Sequence, residues 1–198
     1  MSHFFAFLSR LKFIQRWGLM RNTTSENIQE HSLQVGMIAH GLAVIRNTYF
    51  GGEIDSGKVA LLGMYHEVAE IFTGDLPTPV KYFNPQIKEV YKAIESMAQK
   101  KMVNMLPGEL KDSYRHLLMN QEEDSELWQI VKAADKICAY LKCVEELKVG
   151  NQEFLTASKM IKQELEESKL PEVNYFMEVF APGFSLSLDE LKYLEKDL

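Results

Sequence analysis

Apolar residues recur every three or four positions along most of this chain. No segment shows sustained alternation of apolar and polar residues bounded by hairpin turns. A spacing of three to four places the apolar side chains on one face of an α-helix, so the pattern predicts an all-α protein. We predict helices over residues 4–16, 27–45, 58–72, 85–105 and 127–147, then one more helix before Pro171, an aromatic segment around Tyr175 and a C-terminal tail.

Glycine and proline mark the predicted connections. Gly51 and Gly52 follow the second helix, and Pro107-Gly108 follows the fourth. Residues 74–81 contain two prolines, each of which restricts the preceding residue to extended conformations, so we expect no regular helix there. The polar residues 120–126 predict a turn. We see no repeat, low-complexity block or clear linker, so residues 1–198 are predicted to form a single-domain helical bundle.

Composition excludes several function classes. The chain is 46% hydrophobic and 25% charged, which is typical of a globular protein with a full core and excludes global disorder. It carries 22 Lys and Arg against 28 Asp and Glu, a net charge of −6. This balance disfavours binding to a nucleic acid polymer or an anionic membrane. A phosphate-bearing ligand therefore requires positive charge concentrated at its own site.

Cysteine usage and the N-terminus predict the compartment. Cys138 and Cys143 lie five positions apart in a predicted helix, roughly 140° apart around its axis, so they are not expected to bridge each other. The N-terminal apolar run is interrupted by Arg10 and Lys12 before it reaches the length of a signal peptide. No other stretch approaches the roughly 20 apolar residues of a membrane span. We expect a cytoplasmic protein without a membrane partner.

Four ionisable residues fall on helix faces that are otherwise apolar. His31, His66 and Asp135 each align with apolar residues three or four positions away, and Glu67 follows His66 directly. A buried carboxylate is unfavourable unless it is paired or binds a cation. Two histidines and two carboxylates from three helices would form the nitrogen and oxygen site that a divalent transition metal prefers.

Each of these residues also has a simpler interpretation. His31 alone fits a hydrogen-bonded core histidine, and Asp135 alone fits a salt bridge to Lys132 or Lys136. Only the combination favours a metal site. The other histidines lack this pattern and are interpreted as structural or surface residues: His3, His40 and His116.

The sequence from His66 to Glu70 partly matches the zincin motif, in which histidines at i and i+4 bind zinc. Position 70 is Glu, so this match is weak. An acid one turn beyond a metal ligand is instead placed to act as a general acid or base, which we predict for Glu70.

Two further segments carry candidate ligand-binding residues. The proline-containing loop from Asp75 to Lys81 presents Asp75, Thr78 and Lys81 directly after the candidate ligand helix, although an ordinary connector is the alternative. Arg16 and Trp17 offer a planar cation beside a large ring, suited to a phosphate and to a base or sugar. Alternatively, Arg16 lies on the surface and Trp17 in the core.

The order of His31, His66 with an acid beside it, and Asp135 on a helical scaffold resembles the HD-domain phosphohydrolases. Longer stretches resemble the bacterial 5′-deoxynucleotidases of that superfamily, and the resemblance extends to residues 186–190. These stretches are residues 2–6, Arg16-Trp17 with 19–22, 30–35, 73–84 and 138–143.

The resemblance implies an HD-type helical bundle that acts as a homodimer. It implies hydrolysis of deoxyribonucleoside 5′-monophosphates with one divalent transition metal such as cobalt, manganese or zinc. It implies that Arg16 orients the phosphate, that Trp17 disfavours a ribose 2′-hydroxyl, and that Glu70 is the catalytic acid. The implied metal ligands are His31, His66, Glu67 and Asp135, and the other implied substrate contacts are His31, Asp75, Thr78, Pro79, Val80 and Lys81.

One residue departs from the family pattern. The family signature has Asp after the second histidine, whereas this chain has Glu67. Glu remains an oxygen ligand, but its extra methylene shifts the metal or the helix. We expect metal binding to survive with altered affinity. The alternatives are another HD-type nucleotide phosphohydrolase or phosphodiesterase, or a catalytically impaired metal-binding regulatory protein.

Overall fold

Helices make up the fold in a computed structural model that describes residues 1–81, 83–119 and 125–193. Over this part of the chain the strand-like pairing is confined to one isolated bridge between Gln15 and Asn27, so the all-α prediction is confirmed. The helices are α1 Phe4–Leu8, α2 Ile28–Tyr49, α3 Ser56–Tyr65, α4 Glu70–Thr73, α5 Thr78–Lys81, α6 Pro85–Asn104, α7 Lys111–Leu118, α8 Glu126–Lys148, α9 Leu155–Glu166, α10 Pro171–Val179 and α11 Leu188–Tyr193.

The long helix α2 is central to the main core, which it builds mostly with α3, α8 and α10. Its inward stripe includes Val35, Ala39 and Leu42, all fully buried, and α8 contributes Ile130 and Ile137 in the same way. A smaller second core joins α1, α6, α7 and the turn after α3; its buried members are Phe4, Val68, Met102, Val103, Leu106 and Leu118.

Two local features fix where α2 begins and how closely it meets α3. The Asn27 side chain accepts the N–H groups of Gln29 and Glu30 at 3.0 Å, so the helix starts at Ile28 and His31 lies in its first turn. A Cβ built on Gly63 would lie 2.9 Å from the Cα of Gly36. The two backbones therefore touch without an intervening side chain, which brings the start of α2 near the end of α3.

The structure corrects two predictions around the candidate site. The predicted helix 58–72 is interrupted after Tyr65, because the N–H of Val68 bonds the Tyr65 carbonyl and the N–H of Glu70 bonds that of Glu67, three residues back instead of four. The prediction that 74–81 holds no regular helix is wrong at its end. Prolines suit the first turn of a helix, and the carbonyl of Pro77 accepts the N–H of Lys81 to form α5.

Other boundaries also differ from the prediction. The first helix ends at Leu8 and continues as a 3-10 turn to Phe13, helix α7 was not predicted, and α10 occupies the predicted aromatic segment. Within the predicted turn 120–126, residues 120–124 lie outside the described residues. Both cysteines are buried and free, as predicted. No described helix is long and apolar enough to cross a membrane.

Candidate metal centre and adjoining pocket

The structure brings the four predicted metal ligands together from three places in the fold. His31 lies in the first turn of α2, His66 and Glu67 follow the last turn of α3, and Asp135 lies midway along α8. The Oδ1 atom of Asp135 is 3.0 Å from Nε2 of His31 and 4.0 Å from Nε2 of His66. One ligand atom each of His31, His66 and Glu67 lies within 4.8 Å of the others.

The unpartnered atoms of this cluster are the ones that a metal ion would bind. Nε2 of His31, Nε2 of His66 and Oδ1 of Asp135 are all buried without a hydrogen-bond partner. Nδ1 of His66 lies 2.7 Å from the carbonyl of Gly63, to which it must donate its proton, so Nε2 presents a lone pair to the cluster. Two imidazoles and two carboxylates therefore fit a divalent transition metal.

Burial and the neighbouring charges set the ionisation of these ligands. Burial lowers the pKa of His31, and the Arg16 guanidinium lowers it further, which favours the neutral imidazole that metals bind. Burial opposes ionisation of Asp135, but the adjacent His31 and the nearby cations hold the pKa of Asp135 well below its usual range. Burial also opposes ionisation of Glu67, but His66, the hydrogen bond with Glu70 and His31 together lower the pKa of Glu67.

Glu70, the predicted acid, begins α4 and faces Glu67. Its side chain is buried, and its Oε2 atom has no hydrogen-bond partner. Burial and the negative charges of Glu67 and Asp75 raise the pKa of Glu70 to about 11. The three-residue turn at 67–70 thus places a protonated carboxyl beside an ionised one at the edge of the ligand cluster.

Arg16 and Trp17 also lie beside the cluster. NH1 of Arg16 lies 2.6 Å from Nδ1 of His31 and donates to Oε2 of Glu26 at 3.0 Å, and NH2 lies 3.8 Å from Oδ1 of Asp135. Trp17 follows with a left-handed backbone at φ 59°, a conformation that bulky residues rarely adopt. Asp75 accepts a hydrogen bond from the Trp17 backbone, and burial raises the pKa of Asp75.

Residues 78–81 form α5, which packs beside α6. Lys81 Nζ pairs with Oε1 of Glu95 on α6 at 3.1 Å and lies over the ring of Tyr91. Burial opposes the charge of Lys81, but Glu95 outweighs it and the pKa of Lys81 is raised. Pro79 and Val80 are exposed, and the side chain of Thr78 lies outside the described residues.

A cavity of about 330 Å³ opens from the metal ligands between α6 and α8. His66, Glu67 and Asp135 form one wall. Its other lining residues include a group of cations: Lys81, Lys88, Lys92 and Lys132. An acidic chain therefore carries positive charge beside its candidate metal site, as a phosphate ligand requires.

Sequence reasoning missed the residues that support Arg16 and Trp17. Glu26 accepts hydrogen bonds from both, and the ring of Phe154 lies 5.3 Å from that of Trp17. Glu146 of α8 accepts the N–H of Thr23 at 2.9 Å and so anchors the segment that follows Trp17. Lys142 and Glu146, charged residues four apart among the buried positions of α8, were a usable sequence signal, whereas Glu26 precedes a helix cap and lies outside any periodic pattern.

The fold and the ligand cluster together define an HD-domain phosphohydrolase. The crystal structure of an HD-domain phosphohydrolase from Listeria innocua is similar to this chain with a TM-score of 0.79, at 25% identity, over 92% of this chain and 88% of that one. The cyanophage S-2L HD phosphohydrolase, solved with dA and one catalytic zinc ion, shares the fold with a TM-score of 0.61 at 22% identity, over 89% and 95% of the two chains.

The chain belongs to the YfbR-like 5′-deoxynucleotidase family, whose model matches residues 3–184. The 5′-deoxynucleotidase YfbR of Escherichia coli is 56% identical over 190 residues, which are 96% of this chain and 96% of that protein. The resemblance to bacterial 5′-deoxynucleotidases that the sequence motifs indicated is confirmed.

Proposed function

We propose that this protein is a metal-dependent 5′-deoxynucleotidase that hydrolyses deoxyribonucleoside 5′-monophosphates to the deoxynucleoside and phosphate, with residues 1–198 acting as one HD-type domain. One observation carries the proposal. In a chain of this family, three unpartnered buried ligand atoms converge within reach of a half-buried arginine, with Arg16 NH2 3.8 Å from Asp135 Oδ1. A phosphate bound between a metal ion and a guanidinium is the arrangement that phosphoryl transfer requires.

The donor set supports one divalent ion of the cobalt, manganese or zinc type, held by His31, His66, Glu67 and Asp135. Such an ion supplies Lewis acidity to a phosphoryl oxygen and lowers the pKa of a bound water. Glu67 replaces the family's Asp, yet its Oε1 lies 3.5 Å from Nε2 of His66. This proximity supports retained metal binding by Glu67.

The surrounding residues orient the phosphate, deliver a proton and select the sugar. Arg16 orients the phosphate and neutralises charge that develops on its oxygens. Glu70 delivers a proton to the departing 5′ oxygen, because it is the buried carboxyl beside the ligand cluster. Trp17 lies against the sugar and leaves no room for a 2′-hydroxyl.

The remaining substrate contacts belong to His31 and the segment after α4. His31 contacts the phosphate from the metal side, and Asp75 contacts the sugar near Trp17, whose backbone it already holds. Thr78, Pro79, Val80 and Lys81 complete the wall on the side of α6. The ion pair between Lys81 and Glu95 supports a role for Lys81 as a cation positioned at this edge of the pocket.

Phosphate release tests the proposal directly. The metal-free protein is mixed with cobalt, manganese or zinc and assayed against 5′-deoxyribonucleotides, 5′-ribonucleotides, 3′-phosphates, cyclic nucleotides and pyrophosphate-bearing nucleotides. We expect release from the 5′-deoxyribonucleotides above all others. Preferred cleavage of a cyclic or pyrophosphate substrate would assign another HD-type activity, and metal binding without release from any substrate would leave a regulatory protein.

We further propose that the protein acts as a homodimer through α2 and α3. Leu33, Met37 and Val44 of α2 and Leu61 and Met64 of α3 are between 39% and 63% exposed. Leu33, Leu61 and Met64 also line a largely apolar groove of about 640 Å³. One patch that meets its own copy forms a closed two-fold interface. Analytical ultracentrifugation of the wild type and of Met37→Glu tests this, and a monomeric wild type would contradict it.

We also propose a cytoplasmic location. Both cysteines are buried and unbridged, as a reducing compartment favours. Fractionation of cells that express the tagged full chain tests this, and recovery outside the cytoplasmic fraction would contradict it.

A further inference from the structure

A single carboxylate contacts three residues of the proposed site. Glu26 lies just before the cap of α2, and its side chain is 12% exposed. Its Oε2 atom accepts hydrogen bonds from NH1 of Arg16 and from the indole nitrogen of Trp17, each at 3.0 Å. Its Oε1 atom lies 3.8 Å from Nδ1 of His31. Arg16 and Trp17 are thus joined through one oxygen atom.

The backbone places Glu26 opposite these two residues. The N–H of Arg16 bonds the carbonyl of Glu26 at 2.9 Å, and the Gln15–Asn27 bridge pairs the neighbouring positions. The side chain of Glu26 therefore contacts Arg16 from a segment that backbone hydrogen bonds already hold beside it. Little freedom remains in this contact, so it restrains the guanidinium at low entropic cost.

Trp17 needs such a restraint because its backbone is strained. A residue with a large side chain at φ 59° keeps that conformation only where its surroundings hold it. Asp75 holds the backbone of Trp17, Phe154 packs against the ring, and Glu26 bonds the indole N–H. Of these three contacts, the hydrogen bond to Glu26 fixes the direction in which the indole N–H points.

We propose that Glu26 is a positioning residue that holds Arg16 and Trp17 as one unit and thereby couples phosphate orientation to selection against ribonucleotides. The inference rests on the proposed function, in which Arg16 contacts the phosphate and Trp17 the sugar. Without the carboxylate, Arg16 retains its contacts with His31 and Asp135, and the indole loses its anchor.

Two substitutions separate the charge of Glu26 from its hydrogen bonds. Glu26→Gln keeps an oxygen that accepts the indole N–H but removes the charge that faces Arg16. We expect Glu26→Gln to raise KM about tenfold with the sugar preference kept, since a charge-assisted bond becomes a neutral one. We expect Glu26→Ala to lower kcat/KM about tenfold or more and also to reduce the ratio of kcat/KM for a deoxyribonucleotide over its ribonucleotide. Glu30→Gln, an exposed acid four residues on, is the matched control.

A readout independent of activity follows the indole itself. The chain has two tryptophans, so a Trp128→Phe background leaves one indole N–H resonance, that of Trp17. We expect its exchange with solvent to be slow in the wild type and in Glu26→Gln, and about tenfold or more faster in Glu26→Ala, because a lost hydrogen bond opens the donor to water. Cobalt titration of each metal-free variant is expected to show retained binding, since all four ligands remain.

A double-mutant cycle decides whether Glu26 acts through Trp17. Glu26→Ala added to Trp17→Ala is expected to change the sugar preference no further, because both substitutions remove one restraint. Unchanged indole exchange in Glu26→Ala would overturn the proposal, as would an unchanged sugar preference where Trp17→Ala loses it. If Trp17→Ala itself keeps the preference, sugar selection by Trp17 fails as part of the proposed function, and the coupling of phosphate to sugar is overturned with it.

Discussion

Removal of the Glu146 carboxylate is expected to destabilise the protein more than any exposed substitution nearby. This carboxylate is 1% exposed and accepts hydrogen bonds from Lys142, Thr23 and Asn151. Glu146→Ala leaves the ammonium of Lys142, itself 5% exposed, buried without its counter-charge. Breaking such a pair from one side costs about 3–5 kcal/mol, and we expect the free energy of unfolding to fall by this amount.

Urea unfolding followed by circular dichroism measures this loss. Glu145→Gln on the same helix is exposed and serves as the control, with an expected change within about 0.5 kcal/mol. Lys142→Met with Glu146→Leu removes both charges, so this double variant should be more stable than Glu146→Ala. A loss below about 1 kcal/mol for Glu146→Ala would refute the reasoning, because a paired charge in this setting cannot be removed at so low a cost.

The same carboxylate also predicts a dependence on pH. Burial opposes its ionisation, but the bonds from Lys142 and Thr23 outweigh burial and lower the pKa of Glu146 below the ordinary 4.5. The folded protein therefore binds this proton less readily than the unfolded chain. The contribution of the Glu146 carboxylate to the free energy of unfolding is fully present above about pH 4.5 and is lost as the pH falls further. Unfolding free energies measured from pH 7 to pH 3 should fall less steeply in Glu146→Gln; equal slopes would contradict this.

Three further substitutions test the site and its framework. Gly63→Ala forces α2 from α3 and should destabilise by about 1–3 kcal/mol, whereas Gly41→Ala, which meets open space, should not; equal melting temperatures would contradict the close contact. Both the wild type and Glu67→Asp should bind cobalt in calorimetric titrations, with different affinities; binding by the variant alone would show that Glu67 is not a ligand. Glu70→Gln should lower kcat by about 100-fold or more with metal affinity kept, and full turnover at saturating metal would exclude proton transfer by Glu70.

Long amphipathic helices were predictable because their signals are local. The apolar spacing around His31 and Asp135 fixes which face of α2 and α8 turns inward, and Asn27 fixes where α2 starts. Once both helices pack in one core, these two side chains must meet. The proximity of His31 and Asp135 therefore followed from periodicity, and the roles proposed for them followed from family motifs.

The contacts of the supporting residues were not predictable, even where Lys142 and Glu146 marked a buried pair, because their partners are distant in sequence or lie in turns. Glu146 meets Thr23 across 123 positions, and nothing near Thr23 encodes that contact. The break after Tyr65 depends on bonds three residues apart, which the apolar pattern of 58–72 does not distinguish from a continuous helix. Long-range packing decides both features, and periodicity reports only on local structure.

The net charge of the chain did not predict the distribution of charge in the pocket, for a related reason. Glu67 and Asp135 place negative charge in the ligand cluster, while Arg16 reaches to within 3.8 Å of Asp135 from one side. Charge therefore changes sign over distances shorter than the Debye length of about 8 Å at physiological salt. A bound phosphate responds to these nearest charges in a partly buried site, where screening is weak. The net charge of −6 influences the approach of the nucleotide, whereas in the proposed site Arg16 and the predicted metal ligands hold it.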